Sequence, residues 1–190
     1  MRVFRPRQYR RSIYEIDYAA LRRWGFKAVF LDVDNTILPF DESEVSDEAL
    51  HLIDYLKELG FKIWILSNGK EERVKHITSQ LGIYGIWKAG KPFLTRFRKK
   101  RREAGLKRRE CIVIGDQIFT DVLMANLEGA YSILVQPISL VRDEAITKIK
   151  RPLEKKLIES MQLKVKDLKN ALPVGNSGKR KNQETREKNS

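Results

Sequence analysis

Two carboxylates one residue apart, Asp32 and Asp34, follow directly on the apolar run Val29-Phe30-Leu31 and precede Asn35 and Thr36. An apolar run that stops at a polar break reads as a buried strand and its loop, and the two-residue period of a strand turns both carboxylates to one side. Held together they repel, so the pair calls for a cation, a shared proton or both. Other polar groups recur in the same setting, each just beyond an apolar run: Ser67 and Asn68, Lys91, and finally Asp116 and Asp121. The chemistry that needs this set is phosphoryl transfer. Asp32, Asp116 and Asp121 offer the hard oxygen ligands that suit Mg²⁺. One carboxylate can attack phosphorus and be released by water, while a neighbouring carboxyl first gives and then takes a proton. A hydroxyl, an amide and a lysine can match the charge on the equatorial oxygens.

The elements that must position these groups follow from periodicity. Ile13, Ile16, Tyr18, Leu21 and Trp24 recur at helical spacing up to Gly25, and the strand with the two aspartates comes next. Pro39 breaks the chain, after which Ser46 with Asp47 and Glu48 reads as an N-cap and acidic first turn, with Ala49, Ile53 and Leu56 on the buried face and Gly60 at the end. A second strand is expected over 61–66, a helix over 70–81 stopped by Gly82, and a short third strand over 83–87. Pro92 suits the first turn of a helix running over 93–109. A fourth strand over 111–114, a helix to Glu128 and a fifth strand over 131–135 complete the alternation. Strands alternating with helices imply an α/β fold: a Rossmann-like, doubly wound parallel sheet with right-handed crossovers, whose ligands bind at the carboxyl ends of the strands. Every candidate group lies at such an end, so four distant segments are expected to meet in one crevice.

Asp32-Val33-Asp34-Asn35-Thr36, Ser67-Asn68, Lys91-Pro92 and Gly115-Asp116 through Asp121 resemble, in order and spacing, the four motifs of the haloacid dehalogenase superfamily of phosphatases. The resemblance covers residues 27 to 135. It implies Asp32 as nucleophile and metal ligand, and Asp34 as general acid/base that also ligates Mg²⁺ through its backbone carbonyl. It further implies Ser67 and Lys91 on the phosphate, with Asn68 either there or capping the next helix, Asp116 on the metal, and Asp121 supporting it. Thr36 either orients Asp32 or closes the turn. The gaps between motifs hold too little chain for a cap domain, so the fold is expected to be capless. Within the superfamily the chain is most similar to the capless group of YqeG proteins and phosphatidylglycerophosphate phosphatases. That implies removal of the terminal phosphate from phosphatidylglycerophosphate, an anionic phospholipid. Two other readings stay open: a phosphatase for a soluble or nucleic-acid phosphate, and a basic RNA- or membrane-binding protein whose site is idle.

Composition bounds the remainder. The 190 residues carry 38 Lys and Arg against 25 Asp and Glu, a formal charge of +13 with 42% hydrophobic residues, enough apolar content for one core. The surplus exceeds what a phosphate pocket needs and belongs to a surface or to tails, where it fits an anionic membrane and nucleic acid alike, and the family resemblance implies the membrane. It gathers in residues 1–12, over 93–109 and in the C-terminal segment. The expected organisation is a basic arm and helix over 1–26, the phosphatase core over 27–137, an amphipathic helical segment over 138–172 and a disordered polar tail over 173–190. The arm is expected to be solvated or to meet phosphates. The C-terminal segment, with Ile146, Ile149, Leu153 and Leu157 at helical spacing, lies either at a membrane interface or over the sheet's edge, and Pro152 is tolerated only at its start or a kink. Cys111 sits in an apolar run and reads as core, while His51 and His76 fall within helices away from the site. No apolar run is long enough to span a bilayer, and the N-terminus lacks a signal-peptide pattern, so cytoplasmic residence is expected, either free or at the inner face of the cell membrane.

Overall fold

The computed structural model describes residues 2–139 and 145–163. Six parallel strands form one sheet in the order β1-β6-β5-β2-β3-β4, with β1 at Gln8–Arg10, β2 at Ala28–Leu31, β3 at Lys62–Leu66, β4 at Tyr84–Ile86, β5 at Cys111–Gly115 and β6 at Tyr131–Val135. The helices are α1 (Tyr18–Arg23), α2 (Asp47–Glu58), α3 (Glu71–Leu81), α4 (Thr95–Glu103), α5 (Leu123–Glu128) and α6 (Ala145–Ser160). From β2 the chain winds outward through β3 to β4, then crosses back to build β5 and β6 on the other side. The reversal falls between β2 and β5, which is the expected doubly wound arrangement.

Strand β2 explains why its sequence is continuously apolar. Val29 and Leu31 pack with Ile63, Ile65, Ile112 and Ile114 under the residues of α1, α2 and α3. Ala28 and Phe30 face the opposite layer with Trp64, Leu66 and Val113, beneath α4 and α5. A central parallel strand is buried on both faces, so neither half of its period can be polar. Phe30 anchors the second layer, its ring 5.1 Å from Trp64 and 4.7 Å from Phe97. The helices end where their sequences say. Ser46 Oγ accepts from the Ala49 N–H at the start of α2, and Gly82, at φ 59°, closes α3 in the left-handed region that glycine adopts without strain.

Several expectations shift. The basic N-terminal arm is not a solvated appendage. Gln8–Arg10 pair in parallel with β6, Arg10 is buried, Asn126 Nδ2 donates to the Val3 and Arg5 carbonyls, and Arg5 Nη1 donates to the Met161 carbonyl. An edge strand with one partner needs no apolar run, which hid it among Arg7, Gln8 and Arg10. The helical pattern from Ile13 splits, because Asp17 caps α1 by accepting from the Ala20 N–H, and a 3₁₀ turn over Ile13–Glu15 precedes it. Pro92 lies before α4 rather than within its first turn, and Gly105, at φ 69°, follows the end of that helix. A π-helical turn over Ile118–Val122 precedes α5. Pro152 falls inside α6 rather than at its start. Leu157, Ile158 and Met161 from α6 and just beyond pack against Ile118, Val122, Leu134 and Tyr9, so this stretch covers the β1–β6 end of the sheet. Residues 140–144 and 164–172 of the amphipathic segment, and the tail over 173–190, lie outside the described residues.

Part of the basic charge over 93–109 is internal. Glu128 of α5 is buried and accepts from Arg98 Nε at 2.5 Å and Arg101 Nη2 at 3.0 Å, with Arg108 Nε 3.7 Å away. Arg102, Lys107, Arg108 and Arg109 remain exposed. Removing one member of a buried pair leaves the other uncompensated, at a cost of about 3–5 kcal/mol. Glu128→Ala should therefore lower unfolding stability by several kcal/mol in urea titration, with Arg101 stranded; an exposed-pair loss below about 1 kcal/mol would contradict this.

Candidate active site

β2 and β5 run in register, Leu31 opposite Ile114, and the Asp32 N–H donates to the Ile114 carbonyl at 2.9 Å. Their loops therefore leave the sheet together at the reversal of strand order, and both Asp32 and Asp116 are buried there. Asp121 joins them from the π-helical turn. It fits because of Gly115: a Cβ built on that residue would lie 2.2 Å from Asp121 Cγ. The Gln117 N–H and Thr120 Oγ1 both donate to Asp121 Oδ2, turning Oδ1 toward Lys91. Asp32, Asp116 and Asp121 each bring an oxygen within 4.8 Å of the others.

Two cations oppose this charge. Lys91 Nζ, buried, lies 2.6 Å from Asp32 Oδ1 and 2.7 Å from Asp121 Oδ1. Asn68 holds Lys91 in place by its main chain, accepting from the Lys91 N–H at 2.8 Å and donating to the Lys91 carbonyl at 3.1 Å. Asn68 does not cap the next helix, which begins at Glu71 with Lys70 at its N-cap. The second cation is Arg151 of α6, whose Nη2 pairs with Asp116 Oδ2 and whose Nη1 donates to the Asp116 carbonyl at 2.9 Å. Thr36 Oγ1 donates to Asp116 Oδ1 at 3.4 Å, so its hydroxyl serves Asp116, not Asp32, while its N–H bonds the Val33 carbonyl and closes the turn.

Asp34 stands apart from the three. Its Oδ1 accepts from Arg73 Nε and Nη2 at 2.9 and 2.8 Å, and Arg73 also donates to the carbonyls of Glu42 and Pro39. Ser67 Oγ, buried, accepts from the Gly69 N–H at 2.9 Å. A Cβ on Gly69 would come 3.1 Å from Ser67 Oγ and 3.7 Å from Asp34 Oδ2, so the glycine keeps the space between these two groups open. Thus the structure brings together Asp32, Lys91, Asp116 and Asp121, with Asn68 behind Lys91 and Asp34 and Ser67 around Gly69. Sequence reasoning missed Arg73 and Arg151. Arg73 carried a local signal, lying in the first turn of the helix that follows Ser67 and Asn68. Arg151 carried none, being 35 residues beyond Asp116. Lys88, His51 and His76 are exposed, and Cys111 is buried in the core, where burial pushes its thiol up to about 12.

Burial dominates the electrostatics. It raises the Asp32 carboxyl well above the usual range, with Lys91 pulling the other way and Asp121, Asp116 and Asp34 adding to the rise. Burial likewise pushes Asp116 up to about 7 against the pull of Arg151. For Lys91, burial alone would lower the ammonium, yet Asp121 and Asp32 outweigh it and hold it above the ordinary lysine range. Three buried, converging carboxylates, with oxygen donors only, fit a hard divalent cation such as Mg²⁺.

Comparison with known proteins places this geometry. A family model for haloacid dehalogenase-like hydrolases matches residues 14–129. A protein of Bacillus subtilis named as the probable phosphatase YqeG is 34% identical over 163 residues, covering 86% of this chain and 94% of that one. A chloroplastic and mitochondrial phosphatidylglycerophosphate phosphatase 1 of Arabidopsis thaliana is 26% identical over 153 residues, covering 76% of this chain and 44% of its own length. The crystal structure of a phosphatase from Thermococcus onnurineus superposes with a TM-score of 0.51 at 15% identity, covering 67% of this chain and 98% of that one, which shows a shared fold.

Two outcomes are expected at this cluster. Gly115→Ala should displace Asp121 and weaken Mg²⁺ binding at least about tenfold in calorimetric titration, a loss of about 1.4 kcal/mol. In metal-free protein, Asp116 keeps its proton up to about 7 when folded but releases it near 3.8 when unfolded. Its contribution is therefore full below the lower value and is lost as pH rises through the upper one. Mg²⁺ should raise the melting temperature more at pH 8 than at pH 5, by about 3 °C, the scale of 1 kcal/mol for this size. An equal gain at both pH values would separate the metal from these carboxylates.

Proposed function

Because the chain belongs to the haloacid dehalogenase-like hydrolases and is a phosphatase among them, we propose that it is an Mg²⁺-dependent phosphomonoesterase acting through an aspartyl-phosphate. The observation that carries this reading is Asp32 Oδ1, held by Lys91 beside Asp116 and Asp121 where the strand order reverses. Asp32, Asp116 and Asp121 would hold the metal by their carboxylates, with the Asp34 carbonyl as a further ligand. When bound, the metal supplies positive charge to the phosphate oxygens.

In this reading Asp32 Oδ attacks phosphorus while the bond from phosphorus to the leaving oxygen breaks, and Asp34 gives that oxygen its proton. Water then attacks the aspartyl-phosphate, Asp34 takes the proton back, and phosphate leaves with Asp32 restored. Lys91 neutralises charge at the attacking oxygen, and the Ser67 hydroxyl would donate to a phosphate oxygen. Asn68 acts behind Lys91 as a positioning residue, and Arg73 does the same for Asp34.

The substrate we propose is phosphatidylglycerophosphate, dephosphorylated to phosphatidylglycerol at a membrane surface. Support comes from the likeness to the Arabidopsis phosphatidylglycerophosphate phosphatase and from the formal charge of +13. An anionic bilayer attracts basic residues near it with roughly 1 kcal/mol each. Among the described residues no helix is long and apolar enough to cross a membrane, so contact would be peripheral, at the cytoplasmic face. A soluble or nucleic-acid phosphate is the second reading, since basic surface serves either anion.

The test is phosphate release, with and without Mg²⁺, from phosphatidylglycerophosphate in mixed micelles beside soluble monoesters and strand-end phosphates. Mg²⁺-dependent preference for the lipid is expected, and Asp32→Asn should lower turnover by about a thousandfold or more. Activity confined to soluble or strand-end phosphates would discard the lipid. Turnover that survives in Asp32→Asn would discard the aspartyl-phosphate.

A further inference from the structure

A groove of about 820 Å³ opens beside Asp116, between α6 and the ends of β1 and β6. Small-molecule sites span roughly 300–1,000 Å³ and are mostly apolar with a few placed polar groups. This one matches that description. Its wall is built from Tyr9, Ile118, Leu134, Val135, Pro137 and Ile158. Three charged residues line it in one cluster, because Arg151 pairs with both Asp116 and Glu154, and Glu154 also accepts from the Phe119 N–H. Gln136, Pro152, Lys155 and Glu159 complete the lining and are exposed, at the rim.

Asp116 is shared: it belongs to the carboxylate cluster and to the groove. The groove therefore adjoins the carboxylate cluster, with Asp116 and its partner Arg151 as the wall they share. A sugar or nucleoside leaving group would need hydrogen-bonding groups converging on its hydroxyls, and rejects a site that leaves them unpaired. Here the buried charges are engaged with one another and the rest of the inner wall is apolar. Two of the large apolar side chains exposed on the molecule border the same opening: Ile138, half exposed, follows Pro137, and Leu153, 58% exposed, follows Pro152, both prolines being lining residues. The Ile138 N–H donates to the Asn35 carbonyl, which ties this rim to the loop carrying Asp34.

We propose that the groove is the leaving-group site, holding the glyceride and first methylenes of an anionic phospholipid while its terminal phosphate lies at Asp32. Ile138 and Leu153 form the lip that meets the hydrocarbon boundary. The inference rests on the lipid reading above and adds to it that α6 carries the specificity of the enzyme. Recognition of the lipid then lies in an apolar wall, separate from the residues that move protons or hold the metal.

The experiment compares monomeric dihexanoyl phosphatidylglycerophosphate with its fully deacylated analogue, using the full chain with Mg²⁺. The wild type should turn over the acylated form with a kcat/KM at least about tenfold higher, ~1.4 kcal/mol, which burial of about two methylenes supplies. Ile158→Trp, filling the groove from a half-buried position, should lower kcat/KM for the acylated form, through KM, at least about fivefold more than for the deacylated analogue, which keeps only the glyceride. Ile158→Phe should give an intermediate preference. Equal kcat/KM for the two substrates in the wild type overturns the inference without any variant. Loss on both substrates alike in folded Ile158→Trp, judged by melting temperature, overturns it too. Cleavage of p-nitrophenyl phosphate with none of either phosphatidylglycerophosphate form removes the lipid reading itself, and this inference with it.

Discussion

Three buried carboxylates within reach of one another repel, and the architecture around Asp32, Asp116 and Asp121 answers that constraint. Lys91 supplies one compensating charge and shares it between Asp32 and Asp121. Its position is critical, which explains why Asn68 spends both ends of its amide on the Lys91 main chain. Gly115 gives up a side chain so that Asp121 can occupy its space. A π-helical turn, a backbone form found at functional sites, brings Asp121 into position instead of leaving it on the outside of a regular helix.

The same constraint gives α6 its importance. Among the described residues, the stretches 32–61 and 87–110 each hold one α-helix with its loops, so neither inserts a second domain over the carboxyl end of the sheet. Arg151 reaches that end from a helix placed much later in the chain and pairs with Asp116, while Leu157 and Ile158 anchor the helix to the β1–β6 edge. A helix that serves at once as edge cover, charge partner and wall of an apolar groove joins the chemistry to a surface. Phosphoryl transfer is mostly positioning and electrostatic stabilisation, so a fold of this kind can change substrate by changing what stands beside the strands.

Basic charge divides into two kinds once partners are known. Arg98 and Arg101 meet the buried Glu128, and Arg5 fastens the N-terminal strand to the residues after α6. These arginines hold elements together. Arg102, Lys107 and Arg109 lie in solvent, where anionic partners can use them.

What the sequence by itself determined is the local part of this protein. Apolar runs with polar ends are strands wherever both faces are covered, so β2, β3 and β5 and the residues that follow them were legible. So were Ser46 and Gly82 as helix ends, because caps satisfy backbone groups within a few residues. Only the tertiary structure decided which charges meet. The strand over Gln8–Arg10 was invisible because an edge strand borrows its stability from β6 and needs no apolar pattern of its own. Asn68 was read as a group for phosphate or a helix cap, yet its partner is the backbone of a residue 23 positions away. Arg151 looked like one more cation on an amphipathic helix until packing set it against Asp116. Periodicity reports which side of an element is buried; it carries no information about which distant element comes to lie beside it.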